Sequence, residues 1–201
     1  MPQVLGIDLG TGSTAAAMCS LDEPGAPPAP LPVVPTVLGL PTDGSVHVGR
    51  RGSGPHATGF VERIGDPVPQ LVGGRRFLPQ DLAATLVGWL VDRATERAGP
   101  LARVAVTHPG DWGPYRRGLL ASALADNGVD DVLLLPAPSA AAALVSAPGP
   151  LVVGELGCGH ARATVLAPGD RVPLGHARSP EPLVPLLDDA LAALVLAEAA
   201  P

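Results

Sequence analysis

The stretch Val4 to Met18, VLGIDLGTGSTAAAM, decides how the rest of the chain is read. An apolar run, Val4-Leu5-Gly6-Ile7, carries a single acid, Asp8. It then breaks into Gly10-Thr11-Gly12-Ser13-Thr14 and gives way to a small apolar segment, Ala15 to Cys19. The pattern predicts a buried strand, a tight turn with open backbone N–H groups, and a second element returning. Glycine at positions 10 and 12 permits positive φ and a close approach of backbone to ligand. Thr11, Ser13 and Thr14 add hydroxyl donors beside those amides. An acid at the strand end suits a hydrated Mg²⁺ held beside a phosphate.

Three phosphate-binding templates bear on this turn. A P-loop needs a lysine after its second glycine, and the chain's 13 basic residues are all arginine. A dinucleotide fingerprint is partly met by Gly10-x-Gly12-x-x-Ala15. Its ribose-binding acid belongs about twenty residues on, whereas Asp22 and Glu23 come early and enter a proline-rich segment. Asp8 would also repel a pyrophosphate unless a cation lay between them. The third template is the actin-like and sugar-kinase-like ATPase turn, in which an acid-bearing strand and a hydroxyl-rich hairpin clasp Mg-phosphate. The bland reading is an ordinary hairpin of small residues.

Composition bounds the answer. The 201 residues suffice for one large domain or two small ones. Hydrophobic residues make up 46%, aromatics only 2%, so Ala, Val and Leu build the core. Gly and Pro, 25 of each, are spread between periodic segments and mark turns. A net charge of −6 argues against a nucleic-acid surface. Cys19 and Cys158 lie far apart without metal-ligand spacing, which fits a reducing, cytoplasmic setting. The N-terminus has no basic region and carries an early acid, so no signal peptide is expected. The uncharged run 132–154 has membrane-span length but contains four prolines, and reads as strand–helix–strand. A soluble protein with no membrane partner is the expectation.

Along the chain, 21–35 reads as a loop, and VPTVLGL to SVHVG as a hairpin turning at Asp43-Gly44. The stretch 60–77 reads as irregular, with Gly73-Gly74-Arg75-Arg76 as a solvated turn. Leu82, Leu86, Trp89 and Leu90 recur at helical spacing between Pro79 and Gly99-Pro100. A strand at 103–107, a helix at 115–127, a strand at 132–135 and an alanine helix at 139–146 follow. Then come a strand at 151–156, a hairpin partner at 161–167 and an amphipathic helix from Leu183 to Ala199. This alternation implies an α/β fold whose parallel-containing sheet is covered on both faces.

These segments resemble, in order, the seventy-kilodalton heat-shock (DnaK-like) chaperones. GIDLGTGST is similar to the family's opening GIDLGTTNS, and VPTVLGLPTDGSVHVG to its TPSVV…DG…VG segment. FVERIG is similar to KRLIG. RVAVTHPGDWGPYRRGLLASALADNGVDDVLLLPAPSAAAAL follows VxTVPAxFxxxQRxAxxxAxxxAGxxVxxxxxEPxAAAL. LVVGELGCGHARATVL falls where the family has a second phosphate turn, DLGGGTFDxSxL.

The resemblance implies a ribonuclease-H-like lobe of an actin-like ATPase, with residues 1–201 forming one partial lobe of a nucleotide-binding domain. The second lobe and the peptide-binding domain would be absent. It implies Mg²⁺ with ATP as cofactor, phosphate contacts from Asp8, Gly10, Thr11, Gly12, Ser13, Thr14, Glu155, Gly157, Gly159 and His160, and a metal facing Asp8 and Glu155. The strands bearing those two acids would be close neighbours, with the two turns facing each other.

Departures from the pattern fall on the chemistry. Val61 or Glu62 stands where the family has its catalytic lysine, and Ala137 where it has a water-orienting glutamate. Glu155 replaces an aspartate, Cys158 a glycine, His160 a threonine and Arg162 a second aspartate. No catalytic residue is therefore expected. The expectation is a pseudo-ATPase or interaction module that binds Mg-phosphate weakly, with a protein partner or a second copy as its contact. An active ATPase completed by a partner lobe and a dinucleotide-binding enzyme are the alternatives. His47, His56, His108 and His176 read as structural or surface residues. Trp112 and Tyr115, after a strand end, read as caps on the core, with an interface as the alternative.

Overall fold

The structure, a computed structural model, describes residues 2–23, 25–50, 54–179, 188–189 and 191–192. The chain divides into two compact units, 1–137 and 138–201, where the sequence reading takes 1–201 as one partial lobe.

The first unit opens with β1 (Gln3–Leu9) and β2 (Ser13–Ser20), followed by the short β3 (Ala29–Pro30) and β4 (Val34–Pro35). A satellite sheet forms from β5 (Val37–Gly39), β6 (His47–Val48) and β7 (His56–Thr58), in the order β6-β5-β7. A hairpin of β8 (Gln70–Val72) and β9 (Arg75–Phe77) leads into α1 (Pro79–Ala98). Then come β10 (Leu101–His108), α2 (Pro114–Asp126) and β11 (Leu133–Pro136).

The main sheet runs β11-β10-β1-β2-β3, with β4 also paired to β2. The pairs β1–β10 and β10–β11 are parallel, while β1–β2 and the pairings of β2 with β3 and β4 are antiparallel. The fold is thus a mixed α/β arrangement with helices on the sheet.

Alternation along β1 explains its placement. Leu5, Ile7 and Leu9 are buried, and Gly6 and Asp8 between them are exposed. The buried face continues through Ala16 and Met18 on β2 and Val104 and Val106 on β10. It meets Leu82, Leu86 and Leu90 of α1 and Leu120 and Leu124 of α2 in one apolar cluster. Pro79 opens α1 at a position where its missing N–H costs nothing. Gly99, in extended positive-φ backbone, closes that helix through its N–H to Thr95 O. The opposite face of the sheet is exposed at Gly6, Asp8, Cys19 and Arg103. Cover on both faces, as expected from the alternation, is therefore met on one face only among the described residues.

The stretch 60–77 holds more order than its sequence promised. Positive φ at both Gly73 and Gly74 makes the tight two-residue turn that joins β8 to β9. Phe60, Val61 and Ile64 are fully buried.

The second unit contains α3 (Ala137–Ala142), which begins at its border, and an antiparallel sheet of β12 (Leu151–Leu156), β13 (Ala161–Leu166) and β14 (Pro173–Arg178). Arg171 braces it, donating from its two Nη atoms to the Gly149 and Ala147 carbonyls, and its own carbonyl accepts from Ser139 Oγ. The strands bearing Asp8 and Glu155 belong to different sheets and do not pair. Most of the expected helix 183–199 lies outside the described residues; 188–189 and 191–192 are helical. No described helix is long and apolar enough to cross a membrane.

Candidate functional site

The carboxyl end of β1 brings Asp8 to the edge of the turn 10–12. Parallel pairing aligns Ile7 with Val106, so Asp8 and Thr107 stand side by side on the exposed face. Thr107 Oγ1 donates to Asp8 Oδ1 at 2.7 Å. This bond fixes one carboxylate oxygen and leaves the other with no protein partner among the described residues. Sequence reading missed Thr107; the signal was its place at the end of the apolar run 104–106 in β10.

The turn itself is rigid for identifiable reasons. Gly10 N–H donates to Asp8 O at 3.1 Å, so that amide serves the turn and not a ligand. Gly10 is not in the positive-φ region, contrary to the expectation from sequence. Its requirement is steric, because a Cβ there would collide with the Ser13 carbonyl oxygen. Thr36 then ties the turn from outside. Its N–H donates to Gly12 O at 3.0 Å and its Oγ1 to Gly10 O at 2.8 Å. Thr36 Oγ1 also lies 2.8 Å from Thr14 Oγ1. With the single Thr36 proton committed to Gly10, Thr14 must be the donor in that pair.

This proton accounting sorts the expected phosphate contacts. Thr14 is 0% exposed and its hydroxyl proton is spent on Thr36, so its side chain belongs to the frame of the turn. The Thr11 and Gly12 amides make no backbone hydrogen bond among the described residues, and the Thr11 and Ser13 hydroxyls are likewise uncommitted. Asp8 thus borders a turn whose Thr11, Gly12 and Ser13 donors are uncommitted, while Gly10 and Thr14 shape that turn. The turn leads straight into antiparallel β2 and not into a helix, so the dinucleotide fingerprint has no helix N-terminus for a pyrophosphate.

The second turn, 157–160, joins β12 to β13 in the other unit. There the register sets Glu155 across from Arg162, and Arg162 across from Arg178. Glu155 therefore faces a guanidinium, which competes with any cation for its charge. Gly157 and Gly159 lie in the turn, and His160 reaches Arg178, whose Nη2 is 2.6 Å from His160 Nδ1.

Val61 is 1% exposed and belongs to the apolar cluster, and Ala137 opens α3. Trp112 is buried and stacks on His108 with ring centroids 5.7 Å apart and 9° between planes. Tyr115, expected to cap the core, is instead 68% exposed. His108 is 2% exposed; its Nδ1–H donates to Pro109 O at 2.8 Å. Its Nε2 is buried with no hydrogen-bond partner among the described residues, and burial pushes the imidazole below its usual value of 6.5.

A hydrated Mg²⁺ fits the first turn through Asp8, since one exposed carboxylate with neighbouring phosphate oxygens is how that ion is commonly held. No group of three or more His, Cys, Asp or Glu side chains converges among the described residues. No protein-family model matches the sequence, and no curated protein matches it either.

Proposed function

We propose that the chain contains a DnaK-like nucleotide-binding lobe that binds the phosphates of Mg-ATP weakly at the Asp8 turn and acts by contact, with little or no hydrolysis. One observation carries the reading: the Asp8 carboxylate, oriented by Thr107 at the ends of adjacent parallel strands, borders a turn with open amides and hydroxyls. Ligands in α/β sheets gather at such carboxyl ends, where neighbouring connections leave in opposite directions. The strand order β11-β10-β1-β2-β3, with β2 alone reversed, supports the finer fold reading of a ribonuclease-H-like sheet.

Bound Mg²⁺ would supply charge neutralisation between carboxylate and phosphate. The chain's own part is to aim Asp8 through Thr107, present the Thr11 and Gly12 N–H groups, and offer the Thr11 and Ser13 hydroxyls. Phosphoryl transfer to water needs further positioned charge. With Val61 or Glu62 where the family pattern has a lysine, and Ala137 where it has a glutamate, that charge is missing. Each such loss costs on the order of a hundredfold or more, and the losses need not multiply.

Calorimetry with Mg-ATP and Mg-triphosphate tests the reading. Both should bind weakly and alike, with no turnover in a coupled assay. Strong preference for ATP over GTP, or turnover abolished by Asp8→Ala, would refute it.

A further inference from the structure

We propose that a cleft between α1, β6 and the chain after α2 binds a compact organic amine, its ammonium on Asp92 and its apolar body against Trp89, Val46 and Val48. Helix α1 packs on the buried face of the main sheet, whereas Asp8 stands on the exposed face. The proposal is therefore independent of the reading of the Asp8 turn.

Helical spacing builds one wall of the cleft. Thr85, Trp89 and Asp92 stand at i, i+4 and i+7 along α1 and so share a face. Val46 and Val48, either side of His47, line it from β6, where Val48 pairs with Leu38. Asn127 and Val129 line it from the chain after α2. That chain is pinned, since Val129 N–H donates to Leu124 O at 2.9 Å and Asn127 Nδ2 to Ala84 O at 3.1 Å. The space amounts to about 330 Å³, at the small end of ligand sites, which begin near ~300 Å³. Walls held by backbone bonds need little reordering when a ligand enters.

The polar groups decide the ligand's charge. Thr85 Oγ1 spends its proton on Asp81 O, and Asn127 has committed an amide hydrogen to Ala84 O. Asp92 makes no hydrogen bond or ion pair with any described residue. Its neighbour Arg93 is engaged elsewhere, paired with Glu96 at 3.0 Å and lying over the Trp89 ring at 5.4 Å. An anion would be repelled by Asp92, and the net charge of −6 adds to that repulsion. A neutral apolar molecule would strip water from the carboxylate and put nothing in its place. A primary ammonium answers the charge through a charge-assisted bond. Val46, 44% exposed, and the half-buried Trp89 offer the apolar surface that the rest of the ligand covers.

The test titrates the full chain with phenethylamine, with 2-phenylethanol and with 3-phenylpropionate, at one pH near 7. The Trp89 indole N–H resonance is followed by NMR and assigned with Trp89→Phe. Phenethylamine should move it, 2-phenylethanol should bind about fivefold more weakly, and 3-phenylpropionate should leave it in place. Fivefold is the size of a solvent-exposed ion pair. Asp92 is exposed, so Asp92→Asn should fold normally; it should lower phenethylamine affinity to that of the alcohol, and Asp92→Glu should keep most of it. Mg-triphosphate should not move the Trp89 resonance, so failure here is distinguishable from failure of the Asp8 turn. An unmoved Trp89 resonance with phenethylamine, equal affinity for amine and alcohol, or full amine affinity in Asp92→Asn would overturn the proposal.

Discussion

Thr107 Oγ1 donates a 2.7 Å hydrogen bond to Asp8 Oδ1 from 99 residues away in sequence. Pairing of β1 with β10 makes this meeting unavoidable, so the carboxylate is aimed by the sheet and not by the turn. Thr107→Val keeps the shape and removes the donor. Mg-triphosphate affinity should fall about tenfold, in line with a bond to a charged group, and Thr107→Ser should recover most of it. Isothermal calorimetry on the three proteins checks this.

Thr36 should matter to stability as well as to binding. Thr36→Val leaves the Gly10 carbonyl and the Thr14 hydroxyl without their partner inside a nearly dry site, Thr36 being 3% exposed. Stranding buried polar groups costs about 2 kcal/mol. Urea unfolding should show that loss, with Thr36→Ser close to wild type.

Gly88 and Asn127 are a coupled pair. Asn127 Nδ2 donates to Ala84 O at 3.1 Å and lies where a Cβ on residue 88 would be. Gly88→Ala alone should destabilise by displacing that side chain. In an Asn127→Ala background the same change should stabilise, by up to about 1 kcal/mol from helix propensity. A double-mutant cycle in denaturant would show the reversal of sign.

His108 gives a pH dependence whose sign follows from its burial. Desolvation lowers its pKa first; the Pro109 carbonyl and Asp111 act the other way, and Arg117 adds to the lowering. The folded state therefore prefers the neutral ring more than the unfolded state does. Its stability is complete above the unfolded value of 6.5, declines as pH falls below it, and levels off beneath the folded pKa. His108→Phe keeps a ring against Trp112 and should flatten this part of the profile, read as denaturation midpoint between about pH 7 and pH 5.

Much of the first unit was legible because its signals are local. Pro79 and Gly99-Pro100 bracket a helix, and Asn127-Gly128 stop another, and both lie where the punctuation puts them. Asp43-Gly44 likewise turns a hairpin, with Ser45 N–H on Asp43 Oδ1 at 2.9 Å. The β8–β9 hairpin was equally signalled by Gly73-Gly74, but three-residue strands give periodicity too little length to register. In β14 the sequence PLGHAR lacks both alternation and β-branched residues, so only pairing to β13 makes it a strand.

The site was legible in part. Asp8 and the hydroxyl-rich turn are contiguous in sequence, and contiguity is what a motif reports. Thr36 and Thr107 act from far along the chain, and no motif reports a long-range hydrogen bond. Thr14 counted as a ligand group because its burial depends on the pairing of β2 with β4. Glu155 counted as metal-facing because register with Arg162 is a property of the sheet.

The central claim is that the turn beside Asp8 binds Mg-phosphate through its open amides. Backbone NMR of the full chain, titrated with Mg-triphosphate, tests it most directly. The Thr11 and Gly12 amide resonances should move as the ligand is added, and Asp8→Asn should abolish the movement. Thr11 and Gly12 amides that stay in place at saturating ligand, or that move equally in Asp8→Asn, would contradict it.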